Sequence, residues 1–101
     1  MATPPAPLTE RRGPFAIALW RYPGKGGWVF ARLSAAQAPP VTHPWGRTPV
    51  TATVDGVTWR TSVFRDAKSK GAVLGVPKRV RGSKDDGDKV TVEFEFALDP
   101  D

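Results

Sequence analysis

Three glycines and one lysine stand together in Tyr22-Pro23-Gly24-Lys25-Gly26-Gly27-Trp28, between two β-like runs and with an aromatic ring at each end. Glycine frees the backbone to turn with its N–H groups outward, and the lysine adds a cation. Two chemistries fit this pattern. One is a solvated hairpin turn. The other is an anion-binding lip, in which Lys25 and the amides of Gly26 and Gly27 hold a phosphate or carboxylate against the apolar wall of Trp28. The spacing matches neither the P-loop GxxxxGK[ST] nor the dinucleotide fingerprint.

A second group is Lys68, Lys70, Lys78, Arg79, Arg81 and Lys84, six cations in one stretch with only apolar and small residues between most of them. Such a run either tracks a phosphate backbone without sequence preference or is a solvated surface. No RRM, KH, zinc-finger or helix-turn-helix signature accompanies it. The four tryptophans Trp20, Trp28, Trp45 and Trp59 fit either a ligand pocket or stacking surface or, as is usual for aromatics at strand spacing, the core, where Trp59 on the apolar hairpin face is expected. Trp45, beside Gly46 and Arg47 in an irregular segment, is the one expected to be partly exposed.

Catalysis has little to work with. Glu93 and Glu95 lie two apart in a strand-like run and share its outer face, a placement that suits solubility better than acid–base chemistry. His43 has no partner nearby in sequence, and Ser34, Ser62, Ser69 and Ser83 sit in no nucleophile motif. With no cysteine and one histidine, neither a thiolate nor a histidine-cluster metal site can form. The expectation is a non-enzymatic module without cofactor or catalytic residues. Its site would be a basic, tryptophan-walled depression for a small anion, built from Lys25, Gly26, Gly27, Trp28, Trp45, Arg47 and Lys78. That arrangement requires Lys25 and Trp45 at the same end of the fold. The alternatives are nucleic-acid binding through residues 68–84 and a purely structural or protein-interaction role.

The elements that must position these groups are β-strands. A chain of 101 residues provides one core. Residues 1–13, with three prolines and no apolar periodicity, are expected to be a mobile tail, and 99–101 a short second one. Phe15 to Tyr22 has apolar residues on both faces, as in a strand covered on both sides. Trp28 to Leu33 is its antiparallel partner. Ser34 and Gln37 have capping-box spacing, but Pro39 and Pro40 stop the turn at once. Asp55-Gly56 predicts a type I′ hairpin that pairs Val54 with Val57, Ala52 with Trp59 and Val50 with Thr61. A short strand over 71–76, one or two helical turns before Gly82, a tight turn at Asp86-Gly87-Asp88 and a strand over Lys89 to Leu98 complete the set. Six strands with short connections predict an all-β, small closed or nearly closed barrel.

The net charge of +5 raises the local concentration of anionic partners. No apolar run approaches the about 18 residues of a membrane span, and the first residues lack a secretory signal. With the missing cysteines, this points to a cytoplasmic protein.

Trp20, the Tyr22–Trp28 loop, Trp45-Gly46, Pro49-Val50, Gly56, Trp59-Arg60-Thr61-Ser62-Val63-Phe64, Pro77-Lys78 and Gly87-Asp88-Lys89-Val90-Thr91-Val92 occur in an order and spacing that resemble a bacterial domain of unknown function. That domain is a small β-barrel that also occurs fused to a YdeI/OmpD-associated domain. The resemblance covers residues 14–98 and implies the six-stranded barrel without an activity, substrate or cofactor. Between Lys78 and Gly87 this chain is short, basic and glycine-containing, where the family has an apolar helical segment.

Overall fold

The computed structural model describes residues 8–98. Six strands are present: β1 (Thr9–Arg21), β2 (Val29–Leu33), β3 (Arg47–Val54), β4 (Val57–Arg65), β5 (Ala72–Gly75) and β6 (Lys89–Ala97). A 3-10 turn at Pro44–Gly46 precedes β3, and the one-turn helix α1 (Lys78–Arg81) follows β5. The strands close in the order β1-β2-β5-β4-β3-β6, and every neighbouring pair is antiparallel. The all-β barrel expected from the alternating pattern is therefore the fold. No helix among the described residues is long and apolar enough to cross a membrane.

The Asp55-Gly56 hairpin forms in the predicted register, with Val54 opposite Val57, Ala52 opposite Trp59 and Val50 opposite Thr61. Both turn residues have positive φ, 47° and 85°, as a type I′ turn demands. Its inward row fills the lumen: Val50, Ala52 and Val54 are fully buried, with Leu74, Val63 and Phe94 packed from other strands. Small alanines at positions 31, 52 and 72 alternate with larger side chains, so the interior is filled rather than hollow. A ligand must therefore be met at the wall or at an end.

Two expectations change at β1. The strand starts at Thr9, not near Pro14, because the C-terminal half of β6 needs a partner: Thr9–Arg12 pair with Phe94–Ala97. A register shift at Gly13-Pro14, where Gly13 has φ 104°, joins this piece to the rest of β1. Residues 1–7 and 99–101, the remainder of the two expected tails, lie outside the described residues. Second, β1 is covered on one face only. Ile17 and Leu19 are buried, whereas Ala16 and Ala18 face solvent, as the outer row of an antiparallel barrel does.

The Ser34–Gln37 capping-box bonds form without a helix: the Ser34 amide donates to Gln37 Oε1 at 2.9 Å, and the Gln37 amide to Ser34 Oγ at 3.3 Å. The next residues are pinned by the Arg12 guanidinium, which donates to the Ala38 carbonyl, and by Thr48 Oγ1, which donates to the Pro40 carbonyl at 2.7 Å. Arg12 also lies 5.3 Å from the centre of the Phe96 ring. These contacts close one end. The other end is closed by α1, whose Val80 is buried in the core while Lys78 and Arg79 stay exposed.

Candidate functional site

Strand direction alternates around the barrel, so consecutive loops lie at opposite ends. The β1–β2, β3–β4 and β5–β6 loops share one end; the β2–β3 and β4–β5 loops share the other. This parity separates residues that the sequence suggested would meet. Lys25, Gly26, Gly27, Trp28 and Lys78 are at the first end, together with Arg79, Arg81 and Lys84. Trp45 is at the second, 92% exposed, with Lys68 and Lys70. The expected pairing of Lys25 with Trp45 therefore does not occur, and the basic stretch 68–84 is split between the two ends.

At the first end the glycine loop and α1 face each other across a cleft of about 670 Å³, lined among others by Gly26, Gly27, Trp28, Trp59, Phe64, Lys78, Arg79 and Arg81. The cleft exists because β5 is too short to cover β4. Four residues of β5 face nine of β4, and only Val63, Phe64 and Arg65 find partners in Leu74, Val73 and Ala72. Beyond that point β5 continues towards β2 and α1, leaving Trp59–Ser62 with β3 as their sole strand neighbour among the described residues. In a two-residue hairpin Val54 and Val57 form a hydrogen-bonded pair, so Arg60 and Ser62 turn their backbone N–H and C=O away from β3, into the cleft. The same parity puts Pro49 opposite Ser62 at a site where β3 donates nothing to β4, so its missing N–H is harmless there.

The charged residues lining the cleft are all cationic: Arg60, Lys78, Arg79 and Arg81. Arg60 sends its guanidinium across β3 to Thr51 Oγ1, 2.8 Å away, so its share in the cleft is its backbone. Arg81 donates through Nη1 to the Val76 carbonyl at 3.2 Å, and its Nε is buried with no partner among the described residues. Lys78 and Arg79 are exposed. In the glycine loop, Gly26 and Gly27 have φ 101° and 63°, and neither amide has an intramolecular partner among the described residues. Lys25 is exposed in that loop, just outside the lining. Arg47, at the start of β3 and so towards the second end, does not line the cleft; it lines a separate shallow depression with Ser62 and Phe64 and donates to Ser62 Oγ at 3.5 Å.

Arg21 fixes the loop in place. It binds Asp85 through two hydrogen bonds, Nε to Oδ1 at 2.8 Å and Nη2 to Oδ2 at 2.6 Å, and donates through Nη1 to the Gly27 carbonyl at 3.2 Å. One guanidinium thus ties the glycine loop to the segment after α1. Lys84, one of the expected nucleic-acid contacts, is occupied in the same way: its Nζ lies 2.7 Å from Asp55 Oδ2 and 2.8 Å from the Lys89 carbonyl, tying the hairpin tip to the chain before β6.

The Arg21 hydrogen bond, helped by the Asp86 amide, holds the Asp85 carboxyl at about 2 against an ordinary 3.8. Asp55 is lowered by its bonds to Lys84 and the Thr91 amide, and Asp66 by the Ser69 hydroxyl and the Lys68 amide. A carboxylate depressed in the folded state contributes stability in full above its unfolded value and loses it as pH falls through the folded one. The thermal midpoint is therefore expected to fall as pH drops from 3.8 towards about 2, and Asp85→Asn to flatten part of that fall in a pH series of melting curves.

Glu93 and Glu95 stand on the outer face of β6 opposite Thr53 and Thr51, and His43 Nδ1 lies 2.8 Å from its neighbour Thr42 Oγ1. Sequence reasoning missed the role of Trp59–Ser62, Phe64 and the α1 arginines in one cleft. The available signal was the mismatch in length between the apolar runs 57–65 and 71–76, which leaves one strand half uncovered.

Residues 15–94 match the family model of a domain of unknown function, DUF1905. No curated protein and no solved structure matches the chain. The match spans the barrel from the bulge in β1 to the middle of β6, and takes in the glycine loop, the uncovered half of β4 and α1. The chain belongs to the domain-of-unknown-function family DUF1905.

Proposed function

We propose that this barrel is a non-enzymatic binding module that takes a small anionic ligand with a flat apolar part, in the cleft between the glycine loop, the uncovered half of β4 and α1. The observation that carries this reading is the composition of that cleft. Lys78, Arg79 and Arg81 line it with Trp28, Trp59 and Phe64, and among the described residues no carboxylate does. Charge-assisted hydrogen bonds from the cations would hold the anionic group, and free amides of Gly26, Gly27, Arg60 and Ser62 would supply further donors. The aromatic walls would bury the flat part.

Isothermal titration at low salt with pyrophosphate and with uridine monophosphate tests this. Both are expected to bind, the nucleotide more tightly because it also uses the rings, and both more weakly as salt rises. Absence of heat from either at low salt would overturn the reading. We also place the module in a bacterial cytoplasm, a reading supported by the lack of cysteine and by the resemblance to bacterial barrels.

A further inference from the structure

The outer wall beside the cleft carries a second aromatic feature. Tyr22, Trp20, Phe30 and Trp28 form a continuous row: Tyr22 meets Trp20 edge-on at 5.8 Å, Trp20 lies 6.0 Å from Phe30, and Phe30 lies 6.4 Å from Trp28 with ring planes 19° apart. Trp20 and Phe30 are opposite each other across β1 and β2, and both are half-buried; Trp28 is 63% exposed and Tyr22 50%. The Arg32 guanidinium lies 4.0 Å from the centre of the Trp20 ring. Phe30 faces Gly75 on β5, which has no side chain to cover its ring. The core does not need this row, which sits on the solvent face of a barrel already filled within.

Trp28 and Phe30 also line the cleft, so the row runs without a break into the cations of α1. We infer that this continuous surface binds single-stranded nucleic acid, with successive bases stacked along Trp28, Phe30 and Trp20 and the phosphates drawn to Lys78, Arg79, Arg81 and Arg32. This inference rests on the anion-binding reading of the cleft and names its ligand class. The charge of the surface demands a polyanion, and the row of rings demands flat groups spaced along it. An acidic peptide has the first without the second. A duplex has both, but its bases are already stacked against each other and out of reach of the row. A single strand satisfies both requirements.

The test uses the full chain and a labelled oligouridylate of about 12 nucleotides, within the span that small barrels cover. Fluorescence anisotropy and tryptophan quenching are read against the matching duplex, poly-glutamate and uridine monophosphate. The single strand is expected to bind at least about tenfold more tightly than the duplex or the mononucleotide, with tryptophan quenching. Four engaged phosphates, one for each of Lys78, Arg79, Arg81 and Arg32, would give a log–log salt slope of about −3, at about −0.7 per phosphate. Trp28→Ala, at an exposed ring that the core does not use, should weaken the oligomer about tenfold, and Trp28→Phe should restore most of the loss. A mononucleotide that binds as well as the oligomer would remove this inference and leave the cleft reading in place; failure of both ligands would remove both. Equal affinity for duplex, displacement by poly-glutamate at equal charge concentration, or a Trp28→Ala variant that binds unchanged would each overturn it.

Discussion

Replacing Gly71 by alanine is expected to cost the barrel about 3 kcal/mol or more, at or beyond the upper end of ordinary overpacking. Gly71 is buried where the β4–β5 loop passes the end of β2, and a Cβ there would sit 2.1 Å from the Leu33 carbonyl oxygen. No side-chain rotation relieves that contact, because the neighbour is backbone. Either β2 lifts off β5, breaking the Leu33–Ala72 pair, or the loop shifts and loses the Asp66 amide bond to the Gly71 carbonyl, now 2.9 Å. For a domain of this size each kcal/mol lowers the melting midpoint by about 4–8 °C, so the loss is readily measured by thermal or urea denaturation. Gly75→Ala is the control. It lies four residues on, at the end of β5, but its Cβ would meet the Phe30 ring at 3.8 Å, an ordinary contact, and stability should be nearly unchanged. Equal losses in both variants would mean that the cost is a general one of replacing glycine by alanine in this segment, not of the clash with Leu33.

The second large effect concerns the cleft. Reversing Lys78 and Arg79 together to glutamate is expected to weaken the binding of pyrophosphate or uridine monophosphate at least about a hundredfold, given that a hydrogen bond to a charged group is worth about 1.5–3 kcal/mol and the new carboxylates repel the ligand. Both side chains are exposed on α1, and the residue of that helix that holds it to the core is Val80, so the fold should persist. Lys68→Glu with Lys70→Glu changes net charge by the same amount at the opposite end of the barrel. Binding that falls equally in the two double variants would reflect overall charge rather than a site, and would count against the cleft.

Local patterns in the sequence carried most of the strand architecture, and the reason is physical. Alternation with period two, as at Val90, Val92, Phe94 and Phe96, marks a buried face directly, and Asp55-Gly56 sets a hairpin register by turn geometry alone. What stayed hidden depends on length and closure. Proline-rich composition masked the strand at Thr9–Arg12, which forms because β6 offers an unpaired edge and not because of its own propensity. The outward placement of Ala16 and Ala18 follows from barrel closure, which the apolar run itself does not encode.

The site was legible in part. Gly26, Gly27, Trp28 and Lys78 do line one cleft, since the glycine loop and the segment after β5 both follow upward-running strands. Trp45 failed for the opposite reason: its loop follows a downward-running strand, so parity alone sends it to the far end. In the sequence Arg79 and Arg81 stand out only as members of a basic run that the fold divides, and the uncovered half of β4 carries no motif. Its backbone donors arise from the shortfall of β5.

The most direct measurement is a backbone-amide and indole NMR titration of the full chain with uridine monophosphate. Shifts confined to Gly26, Gly27, the Trp28 indole, Arg60, Ser62 and Arg79 are the predicted result. Shifts at Trp45, Gly46 and the 66–71 loop, or none at saturating nucleotide, would contradict it.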